Sequence, residues 1–262
     1  MAKLIINEKP SVSREFAKAL HISATVGKNG YIDGYSDVLN DNVVITWAVG
    51  HLVTLSYPQE YDEKYEKWKM EDLPFLPSEY KYETISDVRK QFNIIRNHLQ
   101  EFSRNPEDTV YYAGDSAREG IYIQALIRQQ SRCKFKCSEK VVWIDSQTES
   151  EIVRGIKEAK DISEYSNLID AAYTRAIEDY AVGINFSRML SIKYGYNFNA
   201  AVRSKKYKPI AVGRVMTCVL GMIVRREVEI KNFKKQEFYK IVAECGDSQK
   251  FSARWHITKN SP

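Results

Sequence analysis

The 262-residue sequence predicts an α/β fold, in which a Rossmann-like, mostly parallel sheet is flanked by helices and followed by a mainly α-helical segment. Short apolar runs alternate with longer amphipathic stretches, which is the pattern of parallel strands joined by helices. After about residue 150 the strand-like runs stop and long helical patterns continue. A hydrophobic fraction of 44% is that of an ordinary folded protein.

Strands are predicted where short β-branched or aliphatic runs end at turn residues. The predicted strands are Lys3–Asn7, Val43–Val49, Thr109–Ala113 and Val141–Ile144. The stretch Tyr57–Tyr82 is rich in Tyr, Pro and charge, so we expect an irregular excursion over the surface.

Helices are predicted where apolar residues recur at helical spacing. The first follows Pro10, which suits the first turn of a helix. The predicted helices are Ser11–Leu20, Ser86–Phe102, Arg118–Gln130, residues 148–159, Tyr165–Tyr194 and Met216–Ile230. A basic loop, Asn197–Pro209, lies between the last two, and Gln236–Cys245 is expected to be a strand.

Positive charge is concentrated in one stretch, although the net charge is only +5. Residues 188–235 contain twelve Lys or Arg against two Glu, whereas residues 56–87 contain nine acids against four Lys. Such asymmetry favours a polyanion docking on one part of the surface. A solvated basic face without a partner is the alternative. The change from strands to helices near residue 150 and the position of the basic stretch divide the chain into an α/β domain (1–152), a helical segment expected to bind the polyanion (153–235) and the start of a further β-containing domain (236–262).

Membrane and disulfide-scaffold classes are excluded by composition. No apolar run approaches the length of a membrane span, and a chain start that leads straight into a strand argues against a signal peptide. The four cysteines are too sparse for a disulfide framework. Cys133 and Cys137 have no second Cys or His pair nearby, so no zinc is expected. We expect a cytoplasmic protein with reduced thiols.

Two acidic motifs follow predicted strands directly. Glu8-Lys9-Pro10-Ser11 follows the first strand, and Asp115-Ser116-Ala117-Arg118-Glu119-Gly120 follows the strand Thr109–Ala113. The carboxyl ends of neighbouring parallel strands form the crevice where ligands bind, so these carboxylates are expected to meet there. Divalent cations prefer such oxygen ligands, and a metal so placed can act on a phosphodiester.

The two motifs together resemble the Toprim domain, a module shared by type IA topoisomerases, bacterial primases and several nucleases. Further blocks resemble DNA topoisomerase III and its relatives, and they occur in family order over nearly the whole chain. These blocks are Ala48-Val49-Gly50-His51-Leu52, Trp143-Ile144-Asp145-Ser146-Gln147-Thr148, Arg175-Ala176-Ile177-Glu178-Asp179-Tyr180 continuing through Gly183 and Asn185 to Ser187-Arg188, and Ala211-Val212-Gly213-Arg214-Val215-Met216-Thr217.

The resemblance implies that a tyrosine breaks one DNA strand by transesterification and that the strand is later resealed. Glu8 would act as general acid and base, and Lys9 would neutralise charge growing on the phosphate. Glu8, Asp115 and Glu119 would hold Mg²⁺, with Mn²⁺ as an alternative. DNA contacts are expected at His51, Arg118, Arg175, Arg188, Arg203, Lys205, Lys206 and Arg214.

The chain departs from the family pattern at two places. Ala117 stands where a second Asp belongs, and Ile121 occupies a position often held by Glu. The family nucleophile lies in a Tyr-x-Arg context beyond the Gly-Arg-Val block, where the only tyrosine is Tyr239 and Ile241 replaces the Arg. Tyr173 is followed by Thr174 and Arg175 and so matches Tyr-x-Arg, but it precedes the Gly-Arg-Val block. We therefore expect the N-terminal part of a topoisomerase, inactive alone.

Two readings from other classes stay open. The chain could be a non-catalytic Toprim relative that binds single-stranded DNA, or a Toprim nuclease that uses metal-activated water. Single-stranded DNA is the expected partner and a nucleoid-associated location is expected, with no membrane. A helicase or a single-strand-binding protein is left open as a further partner.

Structural roles are alternatives for the same side chains. Glu8 and Lys9 could only cap the first helix, Arg118 and Glu119 could form a surface pair, and His51 could be a satisfied structural histidine.

The helical arginines have a structural alternative too, because Arg188 and Arg214 could pair with Glu178 or Asp179 between helices.

Overall fold

The computed structural model describes residues 2–22, 29–247 and 249–255. The chain divides into two compact units, Met1–Arg214 and Val215–Pro262. The predicted boundaries after residues 152 and 235 differ from this division and stay predictions. Within the described residues, no helix combines the length and the apolar character needed to cross a membrane.

The first unit is built on a six-stranded mixed sheet in the order β2-β3-β1-β6-β7-β8. Strand β1 is parallel to β3 and β6, and β6 is parallel to β7, whereas the edge strands β2 and β8 are antiparallel. The short strands β4 and β5 pair separately. The strands are β1 (Ala2–Asn7), β2 (Tyr31–Ser36), β3 (Asp41–Trp47), β4 (Val53–Leu55), β5 (Tyr82–Thr84), β6 (Thr109–Ala113), β7 (Ser138–Val141) and β8 (Lys160–Asp161).

Helices cover both faces of the sheet, so β1 is apolar on both sides. Leu4 and Ile6 pack towards α2 and α3, and Ile5 packs towards α1 and α4. All three side chains are fully buried. The α-helices of the described residues are α1 (Pro10–Ala19), α2 (Arg89–Phe102), α3 (Arg118–Ser131), α4 (Glu149–Lys157), α5 (Ser166–Ala201) and α6 (Arg214–Lys231). The predicted fold class, a mostly parallel helix-flanked sheet followed by long helices, is confirmed.

Several elements differ between prediction and structure. The strand predicted at Val141–Ile144 lies instead at Ser138–Val141, because the buried acid Glu139 made the true strand look polar. Strand β2 was not predicted, since an edge strand can carry polar residues and Gly34. Helix α5 continues to Ala201 and thus includes the first residues of the predicted basic loop.

The described part of the second unit contains most of α6 and a hairpin of β9 (Val242–Cys245) and β10 (Phe251–Arg254). The strand predicted at Gln236–Cys245 is therefore present only in its last four residues. Gly246 in the hairpin has a φ of 100°, a conformation that suits glycine. Residues 256–262 of the predicted third domain lie outside the described residues.

Candidate active-site crevice

The crevice lies where the chain leaves two neighbouring central strands in opposite directions. After β1 it passes through α1 towards β3, and after β6 it passes through α3 towards β7. Ligands bind at such a switch point in open parallel sheets. Glu8 follows β1 and Asp115 lies two residues beyond β6, and both line a cavity of about 460 Å³.

Glu8 is a buried carboxylate, with 8% of its surface exposed. Its Oε2 accepts a hydrogen bond from the Asp115 backbone N–H at 3.1 Å. This bond ties the end of β1 to the loop after β6. The two acidic motifs predicted to meet are therefore in contact.

Lys9 places its ammonium group against both carboxylates. Nζ lies 3.2 Å from Glu8 Oε1 and 3.4 Å from Asp115 Oδ2, and the side chain is half exposed. The hydrogen bond and charge of Glu8, followed by those of Asp115, raise the pKa of Lys9. Lys9 occupies the N-cap position of α1, but its side chain makes no capping hydrogen bond. The geometry thus favours a charge-pairing role over capping.

The loop after β6 packs closely against the start of α3, and two glycines permit this. A Cβ on Gly120 would lie 2.2 Å from the Asp115 backbone oxygen, and one on Gly114 would lie 2.9 Å from the Gly120 oxygen. Both contacts are with backbone atoms, so a side chain could be accommodated only by moving the loop that carries Asp115.

Ser116 joins this loop to the segment after β7. Its Oγ donates to the Ile144 oxygen at 2.5 Å and accepts from the Ile144 N–H at 2.8 Å. The exposed Asp145 therefore lies on the same cavity as Glu8 and Asp115. Asp145 is not among the site residues predicted from the sequence.

Glu119 lies on a second cavity, of about 300 Å³, while Asp115 and Ala117 line the first. The Glu119 Oε1 is 2.7 Å from His51 Nε2. Glu119 thus contacts His51, and not Arg118 as in the structural alternative. The structure brings Glu8 and Asp115 together but directs Glu119 elsewhere.

The fit of these residues to a divalent cation is poor in this arrangement. Across residues 2–22, 29–247 and 249–255, no group of three or more His, Cys, Asp or Glu is placed to hold a metal ion. Ala117 supplies no oxygen, and the Lys9 ammonium already contacts Glu8 and Asp115. The carboxylates are chemically suitable, but their present partner is a lysine.

The second cavity is lined by charged side chains from α3 and α5. Arg118, Glu119, Arg175 and Asp179 all contribute. Asp179 accepts from Arg175 Nε at 3.2 Å, and it accepts two hydrogen bonds from Arg214, at 2.9 and 3.1 Å. Arg214 therefore forms the structural pair that the sequence allowed.

Arg188 is buried, with 2% of its surface exposed, and its guanidinium lies over the Trp68 ring. Burial lowers the pKa of Arg188. Its Nε and the buried Asp72 Oδ2 have no hydrogen-bond partner among the described residues. In this conformation Arg188 is not accessible to DNA. The basic loop after α5 is different, because Arg203, Lys205 and Lys206 are all exposed.

Comparison with known proteins gives the family. The Toprim domain model matches residues 3–145. The chain belongs to the Toprim family. A DNA topoisomerase model matches residues 163–261, behind the Toprim domain. The boundary predicted after residue 152 falls between the two matched ranges, and the predicted resemblance is confirmed.

Curated relatives share both parts of the chain. DNA topoisomerase 3 of Staphylococcus haemolyticus (strain JCSC1435) is 35% identical over 246 residues, which are 94% of this chain and 31% of that protein. DNA topoisomerase 3 of Bacillus thuringiensis (strain Al Hakam) and that of Bacillus anthracis are each 36% identical over 253 residues, 96% of this chain and 31% of each relative. The Toprim chain thus spans about a third of the length of these relatives.

Proposed function

We propose that this chain supplies the Toprim part of a type IA DNA topoisomerase that breaks and rejoins single DNA strands, an isomerase activity. The observation that carries the proposal is the contact of Glu8, Lys9 and Asp115 at the switch point of a Toprim sheet. The match covers about a third of the length of these relatives. This supports the proposal that the nucleophilic tyrosine lies in another part of the parent protein. Tyr173 does not take that role, because it is packed against Tyr82 and Tyr122 and burial raises its pKa.

The proposed reaction is a transesterification at phosphorus. A tyrosine oxygen forms a bond to the phosphorus, the bond from phosphorus to the 3′ oxygen breaks, and the tyrosine proton passes to solvent. Glu8 donates a proton to the leaving 3′ oxygen and removes it again during resealing. Lys9 stabilises the charge that grows on the phosphate oxygens.

Magnesium belongs to the proposal as the family's usual cation, since Toprim domains generally depend on Mg²⁺. Glu8 and Asp115 are the carboxylates we propose to face it, with Asp145 on the same cavity. When bound, the cation would offset the negative charge of the phosphodiester. Glu119 is in contact with His51 and is not kept in this set.

Single-stranded DNA is the proposed partner, held by Arg203, Lys205 and Lys206 and by the second cavity. Extended single strands are bound by basic grooves with a strong dependence on salt. His51, Arg118 and Arg175 line the second cavity, which supports their assignment as DNA contacts. We propose a cytoplasmic, nucleoid-associated parent protein. A helicase or single-strand-binding protein partner has no support among these observations.

The DNA-binding proposal is tested by replacing Arg203, Lys205 and Lys206 together with Gln. Binding of a fluorescently labelled oligo-dT is measured by anisotropy over a range of salt concentrations. We expect weaker binding and a salt slope reduced by about 0.7 for each lost phosphate contact.

The control replaces Lys64, Lys67 and Lys69 with Gln, because these lysines are exposed too but lie in the acid-rich stretch of residues 56–87. This variant removes the same charge and should bind oligo-dT as the unaltered chain does. Equal losses in both variants, or no loss in either, would contradict the assignment of the basic loop as the binding surface.

A further inference from the structure

An exposed aromatic ring lies in the middle of the basic loop that follows α5. Tyr207 has Lys205 and Lys206 before it and Lys208 after it, and all three lysines are exposed. Tyr207 itself is 62% exposed. Cations next to an open aromatic ring are the combination with which proteins bind single-stranded nucleic acids.

The backbone of this loop is held along α5 by hydrogen bonds on both sides of Tyr207. Before it, the Ser204 N–H donates to the Asn199 backbone oxygen at 3.1 Å. After it, the Asn199 side chain donates to the Lys208 backbone oxygen and accepts from the Lys208 N–H, each at 2.8 Å. The segment that carries Tyr207 is therefore ordered before any ligand binds, which lowers the entropy cost of binding.

The Tyr207 ring is fixed as well. Its hydroxyl donates to the Ser191 backbone oxygen at 3.2 Å. The hydroxyl end of the ring lies against Gly195, because a Cβ built on Gly195 would overlap the hydroxyl oxygen and lie 3.2 Å from Cζ. Gly195 is buried, although the residues on either side of it in α5 are exposed. One end of the ring is thus anchored on α5, while more than half of the Tyr207 surface stays open to solvent.

A ring that is held in place but left uncovered suits stacking on a nucleobase. Every base has a π-face, so stacking of this kind tolerates any base sequence. The lysines beside Tyr207 would contact the phosphates of the same strand. In a duplex the faces of the bases are stacked on one another, so only a single strand offers the base and the phosphates together.

We propose that Tyr207 is a base-stacking residue and that it makes the basic loop prefer single-stranded DNA. This inference rests on the proposed function, since it names a residue that contacts the bases of the same partner. It goes beyond that function because lysines contact phosphates, which are present in single strands and duplexes alike.

The test uses two oligonucleotides of equal length and charge, an oligo-dT and one with abasic tetrahydrofuran residues in place of the thymidines. Anisotropy measures the binding of each to the full 262-residue chain. We expect the unaltered chain to bind oligo-dT about tenfold more tightly than the abasic strand, the gain expected from one stacked base. Tyr207→Leu should weaken oligo-dT binding about tenfold and leave binding of the abasic strand unchanged. The salt slope should stay the same, because no charge is lost.

Two further variants separate stacking from the contact of the hydroxyl with α5. Tyr207→Phe keeps the ring and loses only the bond to Ser191, so it should retain most of the preference for oligo-dT. Gly195→Ala should displace the ring and weaken oligo-dT binding. It should not destabilise α5, because alanine favours a helix more than glycine does.

The matched control is Tyr35→Leu. Tyr35 is 56% exposed and its hydroxyl also donates a hydrogen bond, to Asn40, but its neighbours in β2 are Gly34 and Ser36. This variant removes a ring of the same size and should bind both oligonucleotides as the unaltered chain does.

The inference is overturned if Tyr207→Leu binds oligo-dT as tightly as the unaltered chain, or if Tyr35→Leu has the same effect. Equal losses on both oligonucleotides would overturn it too, because the ring would then only position the lysines. In these cases, binding of oligo-dT that depends on Arg203, Lys205 and Lys206 would still support the proposed function. If the unaltered chain binds neither oligonucleotide, the proposed function fails and this inference fails with it.

Discussion

At the scale of single residues, Ala117 is the position where this chain departs most clearly from the family pattern. It is the N-cap residue of α3, its backbone is extended, and no side chain caps the helix there. It also lines the cavity shared by Glu8 and Asp115. An acid at this position would therefore cap α3 and also add a carboxylate to the cavity.

We predict that Ala117→Asp stabilises the protein by about 1 kcal/mol through capping and tightens Mg²⁺ or Mn²⁺ binding. Thermal unfolding measures the first effect and calorimetric titration the second. Ala117→Ser is the matched control, because it caps α3 without adding a charge. It should give the stability gain alone. Unchanged metal affinity in Ala117→Asp would contradict the assignment of the site.

At the scale of elements, a buried polar network joins α3 to β6 and β7. Arg128 donates two hydrogen bonds to Glu139, each at 2.8 Å, and the buried Tyr112 hydroxyl donates to Glu139 at 2.7 Å. The burial and the neighbouring carboxylate raise the pKa of Tyr112. This network allows an acid to lie inside the sheet and keeps α3, which begins beside Asp115, fixed against the strands.

We predict that Arg128→Met lowers the free energy of unfolding by about 2 kcal/mol, because Glu139 would lose its partner while remaining buried. Arg154→Met is the control. Arg154 also contacts two acids, Glu151 and Glu158, but on the exposed face of α4. Its loss should cost about 0.5 kcal/mol or less. Urea unfolding measures the free energy of unfolding of both variants. Equal decreases would show that the buried network stabilises the fold no more than the exposed pairs do.

Another contact joins three elements at the surface. His21 follows α1, and its Nδ1 lies 3.0 Å from Asp37 in the turn between β2 and β3. Its Nε2 lies 3.6 Å from Glu149 at the start of α4. The hydrogen bond and charge of Asp37, and then those of Glu149, raise the pKa of His21. A raised folded-state pKa means that the protonated form stabilises the fold.

We predict that this stabilisation is fully present below the unfolded pKa of about 6.5 and is lost as pH rises through the higher folded-state pKa. The unfolding free energies of the unaltered chain and of His21→Gln should therefore converge above neutral pH. His98 has the opposite sign, because burial lowers its pKa. The free energy of unfolding of a variant without His98 should differ most from that of the unaltered chain at high pH and least at low pH. A pH-independent effect of His21→Gln would contradict the contact.

At the scale of the whole molecule, the chain carries the candidate crevice within its first unit and spans about a third of the length of its relatives. The first unit holds the Toprim sheet, α5 and the basic loop, so acid–base groups and exposed cations lie on one compact body. The acid-rich stretch between β4 and β5 contributes Trp68, whose ring lies against the Arg188 guanidinium. The basic loop and the acid-rich stretch thus belong to the same unit.

Much of this architecture is determined by the sequence itself. Continuous apolar runs at β1 and β6 predicted buried parallel strands, and chain order alone placed Glu8 and Asp115 just beyond their ends. Local pattern was insufficient where a buried polar residue hid a strand, as Glu139 did in β7, or where an edge strand such as β2 carried polar residues.

Only the tertiary structure decided how the side chains share their partners. Lys9 contacts both Glu8 and Asp115, Glu119 faces His51, and Asp145 reaches the cavity through the bond from Ser116 to Ile144. The physical reason is that hydrophobic periodicity determines which residues stand at strand ends. The charge that a side chain finally pairs with depends on neighbours from distant parts of the chain, which only folding brings within a few ångströms.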